Sequence, residues 1–252
     1  MKKALTFSLI MTLIGAVGGY LVGMYTFAYY TEEMRSLILS QVGSRETFYL
    51  LTMAQSAVYV LITAFLGYLM SARLGLMRPF RFEKDPLGKV LIMTLIAGLL
   101  FFLDAPLFGR LIPEVAAEYA KGISLPYFLA SLTYGGICEE VLLRLFFMTA
   151  IAFVISLIQR KKRVSDRVLV IANIVAALVF AAGHLPTTLS LFGRLDALII
   201  ARCFLLNGAF GYFFGHCYIR YGIFSLGMKQ FILWGRTCFR KYSWNSRSCF
   251  AL

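Results

Sequence analysis

The chain has 252 residues, of which 60% are hydrophobic and only 15% are charged, and its mean hydropathy is +0.78. A soluble domain carries about 25% charged residues, so this composition excludes a soluble globular protein and indicates a domain embedded in a lipid bilayer. The net charge of +13 does not indicate nucleic-acid binding, because the basic residues fall in short loops between apolar segments.

Six apolar segments are predicted to be membrane-spanning helices. The first continues to Tyr30, which is too long for a secretory signal, and Gly15, Gly19 and Gly23 on one of its faces predict a closely packed partner helix. The other five are expected at about residues 48–72, 90–108, 123–159, 168–191 and 195–217. A seventh, at about residues 219–234, would be short and would carry Lys229. We therefore predict an all-α polytopic bundle of about six to seven transmembrane helices.

The loops between the spans predict the orientation of the chain. Two strongly basic loops, at residues 73–89 and 160–167, alternate with poorer ones, which indicates a multi-pass protein of the cell membrane with a cytoplasmic N-terminus. We interpret residues 31–47 as a loop and residues 110–122 as a short amphipathic segment outside the bilayer or along its interface. Asp104, near the outer end of the third span, is interpreted as an interfacial turn residue.

The C-terminal end differs in character from the rest of the chain. Both tryptophans and two of the five cysteines fall in the last nineteen residues. We assign residues 1–235 to the transmembrane domain and residues 236–252 to a basic tail that is divergent, truncated or frameshifted. The cysteines have no CxxC spacing, so they predict neither a disulfide framework nor a zinc ribbon.

The fourth predicted span contains the charged segment GGICEEVLLR, which starts at Gly135. Each charge at the centre of a bilayer costs about 3 kcal/mol, so these charges require partners. Glu140 and Arg144 are four residues apart and can neutralise each other on one helical face. Glu139 lies about 140° around the helix from Arg144, on the face of the preceding glycine pair, where there is room for water. Such an excess carboxylate is a candidate general base; the alternative is a buried charge cluster that locks two helices together.

A histidine in the fifth predicted span is the second half of the candidate site. Phe180 and His184 are four residues apart on one helical face. Counted from the basic loop that joins the two spans, Glu139 lies about 20 residues back and His184 about 17 forward, so both are expected at comparable depth. A glutamate and a histidine that meet within the membrane can hold and deprotonate one water. The alternative is that His184 is a hydrogen-bonded packing residue.

The spaced motifs EE-x-x-x-R, at Glu139, Glu140 and Arg144, and F-x-x-x-H, at Phe180 and His184, resemble the first two motifs of the CPBP family, also called the CAAX protease and bacteriocin-processing or Abi family. The resemblance implies a membrane endopeptidase in which the first glutamate and the histidine activate water. It further implies that the second glutamate and the arginine are structural and that the phenylalanine shapes the pocket.

The resemblance covers about residues 127–222 and includes the type II CAAX prenyl endopeptidases and bacterial relatives linked to bacteriocin self-immunity. It implies a peptide or membrane-protein substrate. The family is often described as metalloproteases, but the carboxylate mechanism needs no metal, and no HExxH spacing supports zinc. No cofactor is expected.

The third motif of that family, H-x-x-x-N in the following span, is not matched. Its usual lead-in occurs at Tyr221–Ile223, but the expected histidine is replaced by MKQF, which contains Gln230. The motif implies stabilisation of the developing oxyanion, and each lost donor costs about 10²–10³ in rate. Gln230 is a candidate for one donor, and no residue is identified for the second. His216 precedes the lead-in and is interpreted as an interfacial residue.

Two other functions compete with the endopeptidase. The missing third motif supports a catalytically impaired or inactive member of the same family that acts in bacteriocin self-immunity or as a membrane scaffold. A small transporter with Glu139, Arg144 and His184 in a proton path rests on intramembrane ionisable residues in general. No inverted repeat of spans in the sequence supports the transporter.

Overall fold

The computed structural model of the protein describes residues 1–78, 96, 99, 102–120, 122 and 124–223. Within these ranges the regular secondary structure is helical and contains no strand, which confirms the predicted all-α fold. The helices are α1 (Lys2–Tyr29), α2 (Glu32–Val42), α3 (Arg45–Leu74), α4 (residues 102–111), α5 (Pro113–Ala120), α6 (Leu125–Ile158), α7 (Asp166–Phe192) and α8 (Ala197–Tyr221).

Five of these helices, α1, α3, α6, α7 and α8, are long and apolar enough to cross a membrane. The shortest has 25 residues, or about 37 Å at 1.5 Å per residue, against a hydrocarbon core of about 30 Å. They correspond to the first, second, fourth, fifth and sixth predicted spans. Most of the third predicted span and nearly all of the seventh lie outside the described residues.

The chain divides into two compact units, and unit 1 comprises Met1–Arg78 and Ser124–Asn173. At its centre α1 packs against α3. The glycines of α1 have no side chain, so the two helices approach closely. A Cβ added at Gly19 would lie 2.4 Å from the Ser56 Cβ and 2.7 Å from the Thr52 carbonyl oxygen, and one added at Gly15 would lie 2.9 Å from Val60. The predicted glycine face is therefore confirmed, and α3 is its partner.

Helix α6 completes unit 1 by packing on both α1 and α3. A Cβ added at Gly18 of α1 would lie 3.2 Å from the Tyr134 backbone nitrogen, and one added at Gly67 of α3 would lie 2.7 Å from the Leu145 carbonyl oxygen. The outer face of α1 remains exposed and apolar, as a lipid-facing surface requires. It carries Leu5, Leu9, Leu13 and Val17, each at least half exposed.

The interpretation of residues 31–47 as a loop was wrong, because helix α2 occupies most of this segment. The Thr31 hydroxyl accepts a hydrogen bond from the Met34 backbone N–H, and the first turn is acidic, as at many helix N-termini. The Arg35 guanidinium donates to the carbonyl oxygens of Phe27 and Ala28, at 3.1 and 2.7 Å. It thereby caps the C-terminal end of α1 and fixes the corner between the two helices.

Unit 2 comprises Pro79–Ile123 and Ile174–Leu252. One of its hydrophobic clusters is formed by α5, the end of α7 and the start of α8. Its buried members are Ile112, Val115, Phe192 and Ile199. The short segment at residues 110–122 is thus largely helical and packs through its apolar face.

Asp104 is buried in a helix of unit 2, so its interpretation as an interfacial turn residue was wrong. Its carboxylate accepts two hydrogen bonds from the Arg202 guanidinium, at 2.7 and 2.6 Å, and a third from the Tyr119 hydroxyl at 2.8 Å. A bidentate arginine pair with a further donor satisfies most of the carboxylate's acceptor sites. The partner arginine lies 98 residues away in the sequence, and no local pattern around Asp104 could have indicated it.

We predict that Gly19→Ala destabilises unit 1, because the added methyl group meets the backbone of α3 and cannot be accommodated by a rotamer change. The expected cost is about 1–3 kcal/mol, as for other overpacking substitutions. The measurement is thermal unfolding in detergent, followed by a thiol-reactive fluorophore, which reports exposure of the buried Cys138, Cys203 and Cys217. Gly183→Ala is the control, since no atom of the described residues lies within 4 Å of its added Cβ; equal losses in both variants would contradict the prediction.

Candidate active site

The charged segment of α6 lies between two stretches of π-helix, Ser131–Cys138 and Val141–Met148. In this geometry the Glu139 N–H donates to the carbonyl of Tyr134, five residues earlier. The α-helix of about 100° per residue that was predicted for the whole segment is therefore wrong here. π-Helical turns are rare and occur frequently at functional sites. The wider turn changes which side chains lie beside Glu139.

Glu140 and Arg144 form the ion pair that their spacing predicted. The Arg144 Nη1 lies 2.9 Å from the Glu140 Oε1, and both side chains are about 2–3% exposed. The Thr149 hydroxyl donates to the Arg144 carbonyl at 2.9 Å and satisfies one backbone acceptor of the π-helical stretch. Within α6, one negative charge is therefore neutralised by one positive charge.

Glu139 is left without such a partner inside unit 1. Its carboxylate has no hydrogen bond or ion pair to another described residue of that unit, although it interacts electrostatically with Arg144 and Glu140. Its Oε2 lies 3.9 Å from the position that a Cβ at Gly135 would occupy. The carboxylate thus lies over the glycine of the preceding turn, where the sequence analysis expected space. A carboxylate in this position can accept a proton from a water.

His184 occupies a break between the two helical segments of α7, Asp166–Gly183 and Leu185–Phe192. Its Nδ1 lies 2.8 Å from the Phe180 carbonyl oxygen. Because a carbonyl oxygen only accepts hydrogen bonds, Nδ1 must carry the proton, and in the neutral ring the lone pair is on Nε2. The Phe180 ring packs edge-on against the imidazole with centroids 4.6 Å apart. The histidine is therefore held in one tautomer and one orientation.

Helix α8 supports this segment of α7 from within unit 2. The Cys203 thiol donates to the Ala181 carbonyl at 3.4 Å, and Gly211 approaches so closely that an added Cβ would lie 3.2 Å from the Phe180 ring. The Thr188 hydroxyl donates to the His184 carbonyl at 2.8 Å. These contacts fix the backbone on both sides of the imidazole, and the sequence analysis did not identify the residues that make them.

The structure brings together some of the predicted site residues and not others. Glu140 pairs with Arg144, and Phe180 packs on His184, as described. Glu139 belongs to unit 1 and His184 to unit 2, and the meeting of their side chains remains a prediction. Gln230 lies outside the described residues. His216 is half-buried on α8.

No group of three or more His, Cys, Asp or Glu residues is placed to hold a metal ion in the described part of the chain. The described residues thus do not form a metal site of the usual three- or four-ligand type.

We predict that Arg144→Met destabilises the protein by about 3–5 kcal/mol, because it leaves the Glu140 carboxylate buried without its counter-charge. The double variant Glu140→Gln/Arg144→Met should recover much of this loss, since it removes both charges. Chemical unfolding in mixed micelles measures the free energy of unfolding of both variants. The exposed pair Arg45–Glu46 provides the matched control, and its removal should change stability little. Equal stability of wild type and Arg144→Met would contradict the structural role of the pair.

Comparison with known proteins identifies the segment that carries these motifs. No curated protein and no solved structure matches the chain. A family model does match, over residues 121–232, and its description is type II CAAX prenyl endopeptidase, Rce1-like. The matched range contains both motifs on α6 and α7, all of α8 and the Gln230 region. Residues 121–232 are therefore similar to the Rce1-like family of type II CAAX prenyl endopeptidases, in agreement with the resemblance that the two motifs carry.

Proposed function

We propose that this protein is a membrane-embedded endopeptidase that hydrolyses peptide bonds with a water activated by Glu139 and His184. The observation that carries the proposal is the unequal use of the two adjacent glutamates. Glu140 is neutralised by Arg144 at 2.9 Å, whereas the Glu139 carboxylate lies over Gly135 without an ion pair in unit 1. A structural charge cluster needs only Glu140, so Glu139 is available for chemistry.

The fixed tautomer of His184 supports the same proposal. Because its Nδ1–H donates to the Phe180 carbonyl, its Nε2 can accept a hydrogen bond from water. A water that donates one hydrogen to Glu139 and the other to Nε2 has an oxygen lone pair directed away from both. That lone pair is the nucleophile in the proposed reaction.

The proposed reaction conserves protons and charge. Glu139 takes a proton from the water while the oxygen forms a bond to the scissile carbonyl carbon, and the carbonyl oxygen becomes an oxyanion. Collapse of this intermediate breaks the C–N bond, and the proton held by Glu139 passes to the leaving amine. His184 stays neutral and orients the water. The substrate class is a peptide or a membrane protein, in keeping with the family description.

A non-catalytic member of the family is the second candidate. It is favoured by a specific observation, the absence of the third motif after Tyr221, where the family carries a histidine and an asparagine. Such a protein would retain the fold and the Glu140–Arg144 pair and would act in bacteriocin self-immunity or as a membrane scaffold. The two candidates differ in whether Glu139 is needed for a chemical step.

We predict that Glu139→Gln lowers peptide cleavage by at least about 10²–10⁴-fold, because the amide cannot accept the proton of the water. The assay uses the full-length protein in lipid nanodiscs and an internally quenched peptide with a farnesylated CAAX cysteine, beside its unprenylated counterpart. Glu33→Gln, at an exposed position of α2, is the matched control and should leave cleavage unchanged.

The outcomes separate the two candidates. Cleavage that survives in Glu139→Gln would contradict the proposed mechanism. Failure of the folded wild type to cleave either peptide would favour the non-catalytic member. Thermal unfolding of each variant establishes that it is folded.

We propose that the protein lies in the plasma membrane. Its N-terminus and the loop between α6 and α7 then face the cytoplasm. The support is the run of four exposed basic residues at positions 160–163 in that loop.

We predict that a cysteine introduced at Lys161 reacts with a membrane-impermeant maleimide only after the cells are permeabilised. A cysteine at Glu33 should react in intact cells, and the reverse pattern would overturn this orientation.

A further inference from the structure

A pair of hydrogen-bonded tyrosines lies in unit 1 next to the Glu139 turn, whereas the sequence offers only Gln230 as an oxyanion donor. The Tyr59 hydroxyl of α3 and the Tyr134 hydroxyl of α6 are hydrogen-bonded to each other, and their rings meet edge-on with centroids 6.5 Å apart. Phenols are among the side chains that serve as oxyanion donors in enzymes.

Tyr134 is linked to Glu139 by the helix itself. The Glu139 N–H donates to the Tyr134 carbonyl across the π-helical turn, so the two residues flank the same turn of the helix. The Glu139 carboxylate interacts electrostatically with the phenols of Tyr134 and Tyr59. The carboxylate also lies over Gly135, the immediate neighbour of Tyr134. An α-helix would have directed the tyrosine to a different side of Glu139.

The surrounding packing fixes the position of Tyr134. A Cβ at Gly18 of α1 would lie 3.2 Å from the Tyr134 nitrogen and 3.3 Å from its Cβ, so the α1 backbone presses directly on this residue. On the other side, Tyr59 holds the hydroxyl. A donor that is fixed before the reaction requires no reorganisation when charge develops, which is the condition for electrostatic catalysis.

The mutual hydrogen bond of the pair leaves one hydroxyl proton available. Two phenols carry two O–H protons, and their mutual hydrogen bond uses one. Either hydroxyl can donate in this bond. When Tyr59 donates to Tyr134, the Tyr134 proton remains for an acceptor near Glu139. Such chains polarise and strengthen the terminal donor.

We propose that Tyr134 donates a hydrogen bond to the oxyanion that forms when Glu139 activates water, and that Tyr59 is the positioning residue that orients the Tyr134 hydroxyl. This proposal rests on the proposed function. Tyr134 belongs to neither of the two matched motifs. It would replace one of the oxyanion donors that are lost with the unmatched third motif.

The test compares Tyr134→Phe, Tyr59→Phe and the control Tyr68→Phe in the nanodisc assay with the same quenched peptide. Tyr68 is on α3 and packs on Phe7. We expect Tyr134→Phe to lower kcat about 10²-fold with little change in KM, because an oxyanion donor acts in the transition state. Tyr59→Phe should lower kcat by a smaller factor, and Tyr68→Phe should leave it unchanged.

A purely structural role makes a different prediction. Tyr134→Phe and Tyr59→Phe remove the same hydrogen bond, so a structural role predicts equal losses of thermal stability and equal changes in kcat. Equal effects on kcat, or a kcat of Tyr134→Phe within about threefold of wild type, would overturn the proposal. If Tyr134→Phe does not fold, 3-fluorotyrosine at position 134 retains the ring and hydroxyl. Its more acidic phenol should raise kcat, and an unchanged kcat would overturn the proposal.

Failure of this inference is distinguishable from failure of the proposed function. An active Tyr134→Phe beside an inactive Glu139→Gln would refute the tyrosine donor alone. An active Glu139→Gln would refute the proposed function, and the tyrosine donor with it.

Discussion

The cost of an unneutralised charge in hydrocarbon constrains the rest of this structure. Each ionised side chain at the centre of a bilayer costs about 3 kcal/mol, and α6 carries three of them within six residues. The Glu140–Arg144 pair neutralises two of these charges at 2.9 Å within a single helix. The Glu139 carboxylate remains, and the glycine, phenols and backbone around it determine its chemical role. The separation of a structural glutamate from its reactive neighbour is the basis of the proposed chemistry.

In unit 1, close packing of glycines brings together the helices around this carboxylate. Glycines of α1 and α3 bring backbones into direct contact, at Gly19 against Thr52 and at Gly67 against Leu145. Close packing of this kind stabilises membrane helices in the absence of a hydrophobic driving force between them. It also holds Tyr59 next to Tyr134, so the stability of the unit and the arrangement of its hydroxyl groups have the same origin.

The sequence predicted the all-α fold, five of the spans and the local ion pair because each depends on neighbouring residues. Apolar run length determines a span, and a spacing of four determines the Glu140–Arg144 contact. The π-helical turns around Glu139 were not predicted, because the spacing of the charged residues in this segment is also compatible with an α-helix. Asp104 was misinterpreted because Arg202 is remote in sequence, and the Tyr59–Tyr134 pair was missed because its members lie on helices separated by 75 residues. The helix α2 was missed although Thr31 and the two following glutamates are an N-terminal capping signal.

The distance in sequence between Asp104 and Arg202 affects how the protein is made. At about 5–20 residues per second, a ribosome needs about 5–20 s to add the 98 residues that separate them. Throughout that interval the acidic side chain has been synthesised and its guanidinium partner has not. Glu140 and Arg144, in contrast, leave the ribosome within the same helical turn and enter the bilayer together. The Asp104–Arg202 ion pair can therefore form only after the start of α8, the last described helix, has been synthesised.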